Sequence, residues 1–150
     1  MREAIRLARE NMRAGAGGPF GAVVVKDGKI IGRGWNQVTS ANDPTAHAEV
    51  MAIRAACRAL GDFRLNGATI YTSCEPCPMC LSAIYWARIE RVYFAGTRED
   101  AAAAGFDDAL LYREVALALE QRSIPFVSLL RDESLAAFAD WNAKTDKVPY

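Results

Sequence analysis

Three of the four cysteines fall within seven positions, at Cys74, Cys77 and Cys80, in a stretch that reads YTSCEPCPMCL. Pro76 and Pro78 bracket the middle one and fix the chain's entry into a helix, because proline is tolerated at a helix start and not inside it. The segment has to run from the end of a strand, at about Cys74, into a helix opened by a Cys-x-x-Cys pair. A disulfide framework would spread its cysteines along the chain. This cluster points instead to a reducing compartment and to metal or redox chemistry. Cytoplasm is the expected location.

Around that segment the hydrophobic pattern gives an α/β order. Residues 2–14 read as a helix with Ile5, Ala8 and Met12 on its apolar stripe, stopped by Gly15. AGAGGPF comes next as a flexible loop. Residues 20–26 and 29–34 read as strands joined by Asp27-Gly28, a strong hairpin signal between apolar runs. The polar loop WNQVTSANDPT leads into a helix over residues 46–60, stopped by Gly61. ATIYTS is a short buried strand, PMCLSAIYWAR a short helix and RVYFAG a fourth strand. Further on, GFDDALLYREVALALE reads as helical from about Asp107, IPFVSLL as a fifth strand and ESLAAFADWNAK as a closing helix. The pattern predicts a single domain over residues 1–150: an α/β fold with one mixed five-stranded sheet and helices on both faces.

Lys plus Arg and Asp plus Glu each number 18, so the chain has no net charge with which to draw in a polyanion. No nucleic-acid or membrane partner is expected. The N-terminus MREAIRLARENMRAG lacks the apolar block of a secretory signal, and no apolar run approaches the roughly 20 residues that span a bilayer.

His47, the only histidine, stands in PTAHAEV, 30 positions before Cys77. The Cys-x-x-Cys pair has three readings: free thiols packing as small apolar groups, a thioredoxin-type redox pair, or zinc ligands. With His47 as third ligand, zinc accounts for all three residues and keeps one tetrahedral position open, the mark of a catalytic site. A closed structural site needs a fourth ligand, for which Cys74 is the candidate. Cys74 ends a strand, whereas Cys77 and Cys80 stand three apart in one helical turn and converge on a point. Cys74 is therefore expected to pack beside the site.

Glu49 raises a geometric objection, since residues two apart on a helix point to nearly opposite sides. His47 and Glu49 share a target only if it lies beyond the helix N-terminus, toward which side chains tilt. The metal is thus expected between two helix N-termini, whose dipoles favour the negative charge of its thiolates. With the only imidazole taken, a Ser-His-Asp triad is excluded and a carboxylate must carry protons. Glu49 is the best placed, Glu75 is its competitor, and an exposed first-turn acid is the plain alternative.

His47-Ala-Glu49 followed by Pro76-Cys77-x-x-Cys80 resembles the signature of the zinc-dependent nucleobase deaminases. GGPFGAVVVKDG, NDPTAHAEV, YTSCEPCPMCL, AIYWAR, AGFDD and the terminal tyrosine extend the likeness over nearly the whole chain, to the bacterial guanine deaminases of the cytidine/deoxycytidylate deaminase-like family. The resemblance implies a three-layer cytidine-deaminase-like fold and hydrolysis of guanine to xanthine and ammonia in purine catabolism and salvage. It implies one zinc per chain on His47, Cys77 and Cys80, with Glu49 shuttling protons. Around the purine it implies Asn36 bonding the base, Asp108 binding its edge and assisting proton transfer, Phe20 and Trp86 as an aromatic wall, and Tyr150 closing the pocket. It also implies a homodimer in which the C-terminal segment, about residues 131–150, is exchanged between subunits.

Plain readings stand beside these. Phe20 and Trp86 suit a core, Asp107 and Asp108 suit a helix start, Asn36 suits a turn, and KTDKVPY suits a disordered tail. The alternatives for function are a tRNA adenosine deaminase, another nucleobase or aminotriazine deaminase, and a non-catalytic zinc module closed by Cys74. The C-terminal third mixes acids such as Asp132, Glu133, Asp140 and Asp146 among its bases, which offers RNA little.

Overall fold

The computed structural model describes residues 1–150, which divide into two compact units, Met1–Leu111 and Tyr112–Tyr150. The first unit is built on a mixed sheet of four strands: β1 (Gly21–Lys26), β2 (Lys29–Trp35), β3 (Thr69–Cys74) and β4 (Arg91–Gly96). Their spatial order is β2-β1-β3-β4, with β1 antiparallel to both its neighbours and β3 parallel to β4. Asp27 and Gly28, at φ 49° and 72°, make the two-residue turn that the right-handed twist of the strands favours.

Helix α1 (Arg2–Arg13) lies on one face of the sheet; α3 (Ala48–Leu60) and α4 (Pro78–Trp86) lie on the other. A short α2 (Val38–Ala41) precedes α3, and α5 (Arg98–Ala103) comes after β4. Glycines set how closely the layers approach. A Cβ on Gly34 would lie 2.2 Å from the carbonyl oxygen of Ala48, and one on Gly32 would lie 2.3 Å from that of Ala52. Helix α3 answers with Ala48, Ala52 and Ala56, one face at a spacing of four, all fully buried. Leu65, Ile70 and Ile84 complete this core with Ala22 and Val24 of β1.

On the opposite face a Cβ on Gly21 would lie 2.3 Å from the carbonyl oxygen of Ala4. This close approach turns Ala4, Leu7 and Ala8 of α1 inward and leaves Ile5 and Met12 exposed. The expected stripe of Ile5, Ala8 and Met12 is thus rotated by about one residue.

Helix α6 (Ala109–Ala116) runs from the first unit into the second, which continues with a 3₁₀ turn at Leu119–Gln121 and α7 (Arg131–Ala143). The expected five-stranded sheet is corrected to four. Residues 124–130 run without a ladder partner, and Val127 and Leu129 are exposed. Strand propensity alone does not make a strand, because its stability comes from cross-strand pairs. No helix is long and apolar enough to cross a membrane.

Candidate active site

Two helices bring their first residues to one place. His47 is the N-cap of α3, at φ −70° and ψ 154°, and Cys77 is the N-cap of α4, at φ −66° and ψ 168°. Both backbones are extended, so neither side chain obeys helical periodicity. The conflict expected between His47 and Glu49 does not arise, because α3 starts at Ala48 rather than residue 46 and His47 precedes it. An N-cap side chain ordinarily folds back onto the helix's free amides. Neither of these does. They meet instead: His47 Nδ1 lies 3.6 Å from Cys77 Sγ and 3.5 Å from Cys80 Sγ.

That geometry fits zinc. Bonds of about 2.0 Å to nitrogen and about 2.3 Å to sulfur, meeting at a tetrahedral angle, separate the two ligand atoms by about 3.5 Å. The ligand atoms of His47, Cys77 and Cys80 all lie within 4.8 Å of one another, and Cys74 is not among them. Two thiols and an imidazole suit zinc far better than a hard, oxygen-seeking cation.

Charge in the cluster is unevenly shared. The Cys80 thiol hydrogen-bonds to Cys77 and pulls its pKa down to about 4, with His47 adding to the effect against burial. Cys80 is held up by the same bond, by burial and by Glu49. His47 is raised above the usual imidazole range by its bond to the Cys77 sulfur, against burial. The site thus favours thiolate at the meeting point of two helix N-termini.

Glu49, in the first turn of α3, is 6% exposed. Its Oε1 lies 3.2 Å from Thr72 Oγ1, and its Oε2 lies 3.4 Å from Cys80 Sγ. Burial raises its pKa first of all, and the Cys77 charge adds to that. A buried carboxyl so raised holds a proton more readily than an ordinary glutamate does.

His47, Glu49 and Cys77 line a cavity of about 530 Å³, together with Phe20, Asn36, Phe106, Asp107 and Asp108. Gly17, at φ 151°, lies so close to Asn36 that a Cβ would fall 1.8 Å from the Asn36 carbonyl oxygen. The AGAGGPF segment, expected as a flexible loop, is therefore packed into the site. Asn36 Oδ1 accepts from the amides of Gly18 and Val38, both at 3.2 Å, which leaves its –NH₂ as the group it can offer a ligand. Phe20 and Phe106 meet edge to face, with centroids 4.9 Å apart, and form an apolar wall.

Residues 1–96 match the family model for the zinc-binding region of cytidine and deoxycytidylate deaminases. The chain belongs to the cytidine and deoxycytidylate deaminase family. Among its relatives in that family, guanine deaminase of Bacillus subtilis is 53% identical over 150 residues, which cover 100% of this chain and 96% of that one. A crystal structure of guanine deaminase from Bacillus subtilis superposes with a TM-score of 0.96 at 54% identity, covering 99% of this chain and 95% of that chain. The tRNA-specific adenosine deaminase of Agrobacterium fabrum is 54% identical over 76 residues, 51% of this chain and 50% of that one. The fold is the α/β cytidine-deaminase-like one, with a mixed sheet and helices.

Within this deaminase-family chain Glu75 and Cys74 also line the cavity, but they bond to groups outside the cluster of His47, Cys77 and Cys80. Glu75 Oε2 accepts the amide of Arg98 at the start of α5. The Cys74 thiol donates to the Thr97 carbonyl oxygen at 3.4 Å. Asp107 and Asp108 both line the cavity; Asp107 Oδ1 accepts the amide of Ala109 at the start of α6, while Asp108 has its pKa raised, by burial first and then by Cys77. Trp86, at the end of α4, is 61% exposed and does not line this cavity; Tyr150 belongs to the second unit. Sequence reasoning passed over Phe106 and Thr72. The AGFDD motif contained the first, and the inward alternation of Ile70, Thr72 and Cys74 along β3 was the available signal for the second.

Proposed function

We propose that this chain hydrolyses guanine to xanthine and ammonia in purine catabolism and salvage. The observation that carries the reading is the buried Glu49 carboxyl beside the His47, Cys77 and Cys80 cluster, with Glu49, His47 and Cys77 lining the cavity. The full-length likeness to a guanine deaminase supports the choice of substrate; the tRNA-specific relative shares about half the chain.

In this reading His47, Cys77 and Cys80 hold one zinc per chain. When bound, zinc supplies positive charge at an open position, which makes a water nucleophilic at neutral pH. Glu49 accepts a proton from the water that adds to the amino-bearing ring carbon. It passes that proton to the adjacent ring nitrogen, then carries the proton of the newly added hydroxyl to the amino group, so that the C–N bond breaks with ammonia leaving and a carbonyl left on the ring. Asn36 donates from its –NH₂ to an acceptor on the purine edge, and Asp108 accepts from the base's N–H groups and assists proton transfer. Phe20 packs against the ring with Phe106. An analogue that fails to match Asn36 and Asp108 leaves buried polar groups unpaired, at about 1–3 kcal/mol each.

The same reading includes a homodimer that exchanges about residues 131–150, with Tyr150 closing the partner's pocket. Leu135, Phe138 and Trp141 fall on one side of α7 and are exposed, an apolar face that a second copy would cover. Trp86 joins the wall only in such an assembly, since it lies off the cavity of its own chain. Light scattering that reads one chain's mass at working concentration would remove this part. Free thiols at all four cysteines suit the cytoplasm.

The test is ammonia release from guanine, adenine, cytosine, guanosine and ammeline. Guanine should be turned over fastest. Faster release from adenine or cytosine than from guanine, or no release from any base, rejects the proposal.

A further inference from the structure

Two side chains reach the carboxylate of Glu49, and they differ in what they can give it. Cys80 Sγ stands 3.4 Å from Oε2, but a thiolate there, as metal binding would require, would have no proton to donate. Thr72 Oγ1 stands 3.2 Å from Oε1 and stays neutral. Thr72 is 1% exposed and fixed in the middle of β3, where it pairs with Ala22 of β1, so its hydroxyl has little room to wander.

A second acceptor lies within reach of the same hydroxyl: the carbonyl oxygen of Cys74, at 2.9 Å. A threonine hydroxyl carries one proton and two acceptor lone pairs. When Glu49 is ionised, the proton of Thr72 can point to Oε1. When Glu49 holds a proton, the hydroxyl can donate to the Cys74 carbonyl and accept from the carboxyl with no heavy atom moving. A fixed donor such as an amide N–H suits only the ionised form.

We propose that Thr72 is a positioning residue that holds Glu49 Oε1 in one place through both halves of the proton transfer. The inference rests on Glu49 as the proton carrier. It assigns the β3 hydroxyl to the reaction and not merely to the core, although valine would fill the same space.

The experiment compares Thr72→Val, Thr72→Ser and Glu49→Gln in the zinc-loaded protein, reading kcat, KM and zinc content for each. Thr72→Val should lower kcat about ten- to hundredfold while KM stays within about twofold, because a reacting group displaced by a fraction of an ångström costs rate more than binding. Its zinc content should match the parent's. Thr72→Ser, which keeps the hydroxyl, should recover most of the rate. Thr72→Ala should behave as Thr72→Val and replaces it if the valine variant does not fold. A kcat for Thr72→Val or Thr72→Ala near the parent's overturns the proposal. So does a loss that tracks zinc, or one that serine fails to rescue, since both mark a structural role. Parental turnover by Glu49→Gln is a different failure: it removes Glu49 as the carrier.

Discussion

Glu49 Oε2 lies 3.4 Å from Cys80 Sγ across 31 residues of sequence, which places the one buried acid of the cavity against the cluster of His47, Cys77 and Cys80. Glutamine has the same shape and can still bond to Thr72, but it cannot carry a proton. Glu49→Gln should therefore keep its metal and lose turnover by about 10²–10⁴-fold, the usual worth of a positioned acid or base. Metal analysis beside an ammonia assay decides the matter, and an active variant would place the shuttle elsewhere.

The ligand assignment predicts about one zinc per chain. His47→Ala, Cys77→Ser and Cys80→Ser should each bring the zinc content down sharply, while Cys74→Ser should retain it, because the Cys74 thiol is turned to the Thr97 carbonyl. Plasma emission analysis of the purified variants checks this. Full zinc in the His47 and Cys77 variants, or its loss in Cys74→Ser, would mean that the coordinating set is wrong.

Asp108 and its neighbour Asp107 should separate by experiment. Both line the cavity, but Asp107 Oδ1 is already bonded to the amide of Ala109, the first residue of α6, whereas Asp108 has its carboxyl pKa raised by burial. Asp108→Ala should lower kcat/KM for guanine about ten- to hundredfold, the cost of one hydrogen bond to a charged group, with little change in melting temperature. Asp107→Ala should lower the melting temperature more than Asp108→Ala does. Unchanged kinetics for the Asp108 variant would remove it from the site.

The site's precision also depends on a residue that carries no side chain. A Cβ on Gly34 would lie 2.2 Å from the Ala48 carbonyl oxygen and 2.4 Å from the Ala52 amide nitrogen. Gly34→Ala must push α3 off β2, and α3 begins directly after His47 and carries Glu49. Overpacking of this kind costs about 1–3 kcal/mol, and here it should also reduce zinc content. Gly28→Ala is the control: a Cβ there meets nothing within 4 Å, although φ is 72°. It should cost about 1–2 kcal/mol of turn strain and leave zinc untouched. Equal zinc in the two variants would show that the α3–β2 contact does not set the metal cluster.

The features legible in the sequence are those encoded locally. Asp27-Gly28 supplies its own positive φ angles, Pro78 opens α4, and RVYFAG became β4 at the expected bounds. The gathering of His47, Cys77 and Cys80 was legible because that combination of side chains has few other uses. The readings that failed depended on partners distant in sequence. The inward face of α1 is chosen by Gly21, which lies outside the helix on the neighbouring strand, and residues 124–130 lack a strand to pair with. Thr72 was hidden for the same reason, since a threonine in a strand is ordinary until Glu49 arrives beside it from α3.

The link from α1 to the sheet gives a prediction in pH. Glu3 accepts from Arg6 Nε at 2.8 Å and from Arg33 Nε of β2 at 2.9 Å, and these bonds hold its pKa at about 2 instead of the ordinary 4.5. A carboxylate depressed in the folded state stabilises it fully above the unfolded value and loses that contribution as pH falls through the folded one. Glu3→Gln should therefore melt slightly below the parent at pH 7, by the same margin at every pH above about 4.5, and the gap should narrow between pH 4.5 and 2. Comparing parent with variant at each pH cancels the acid release of metal, which both share. Both arginines are exposed, so 1 M salt should shrink the gap at pH 7 as well. A gap that widens on acidification would contradict the assignment of Glu3 as an ionised link between α1 and β2.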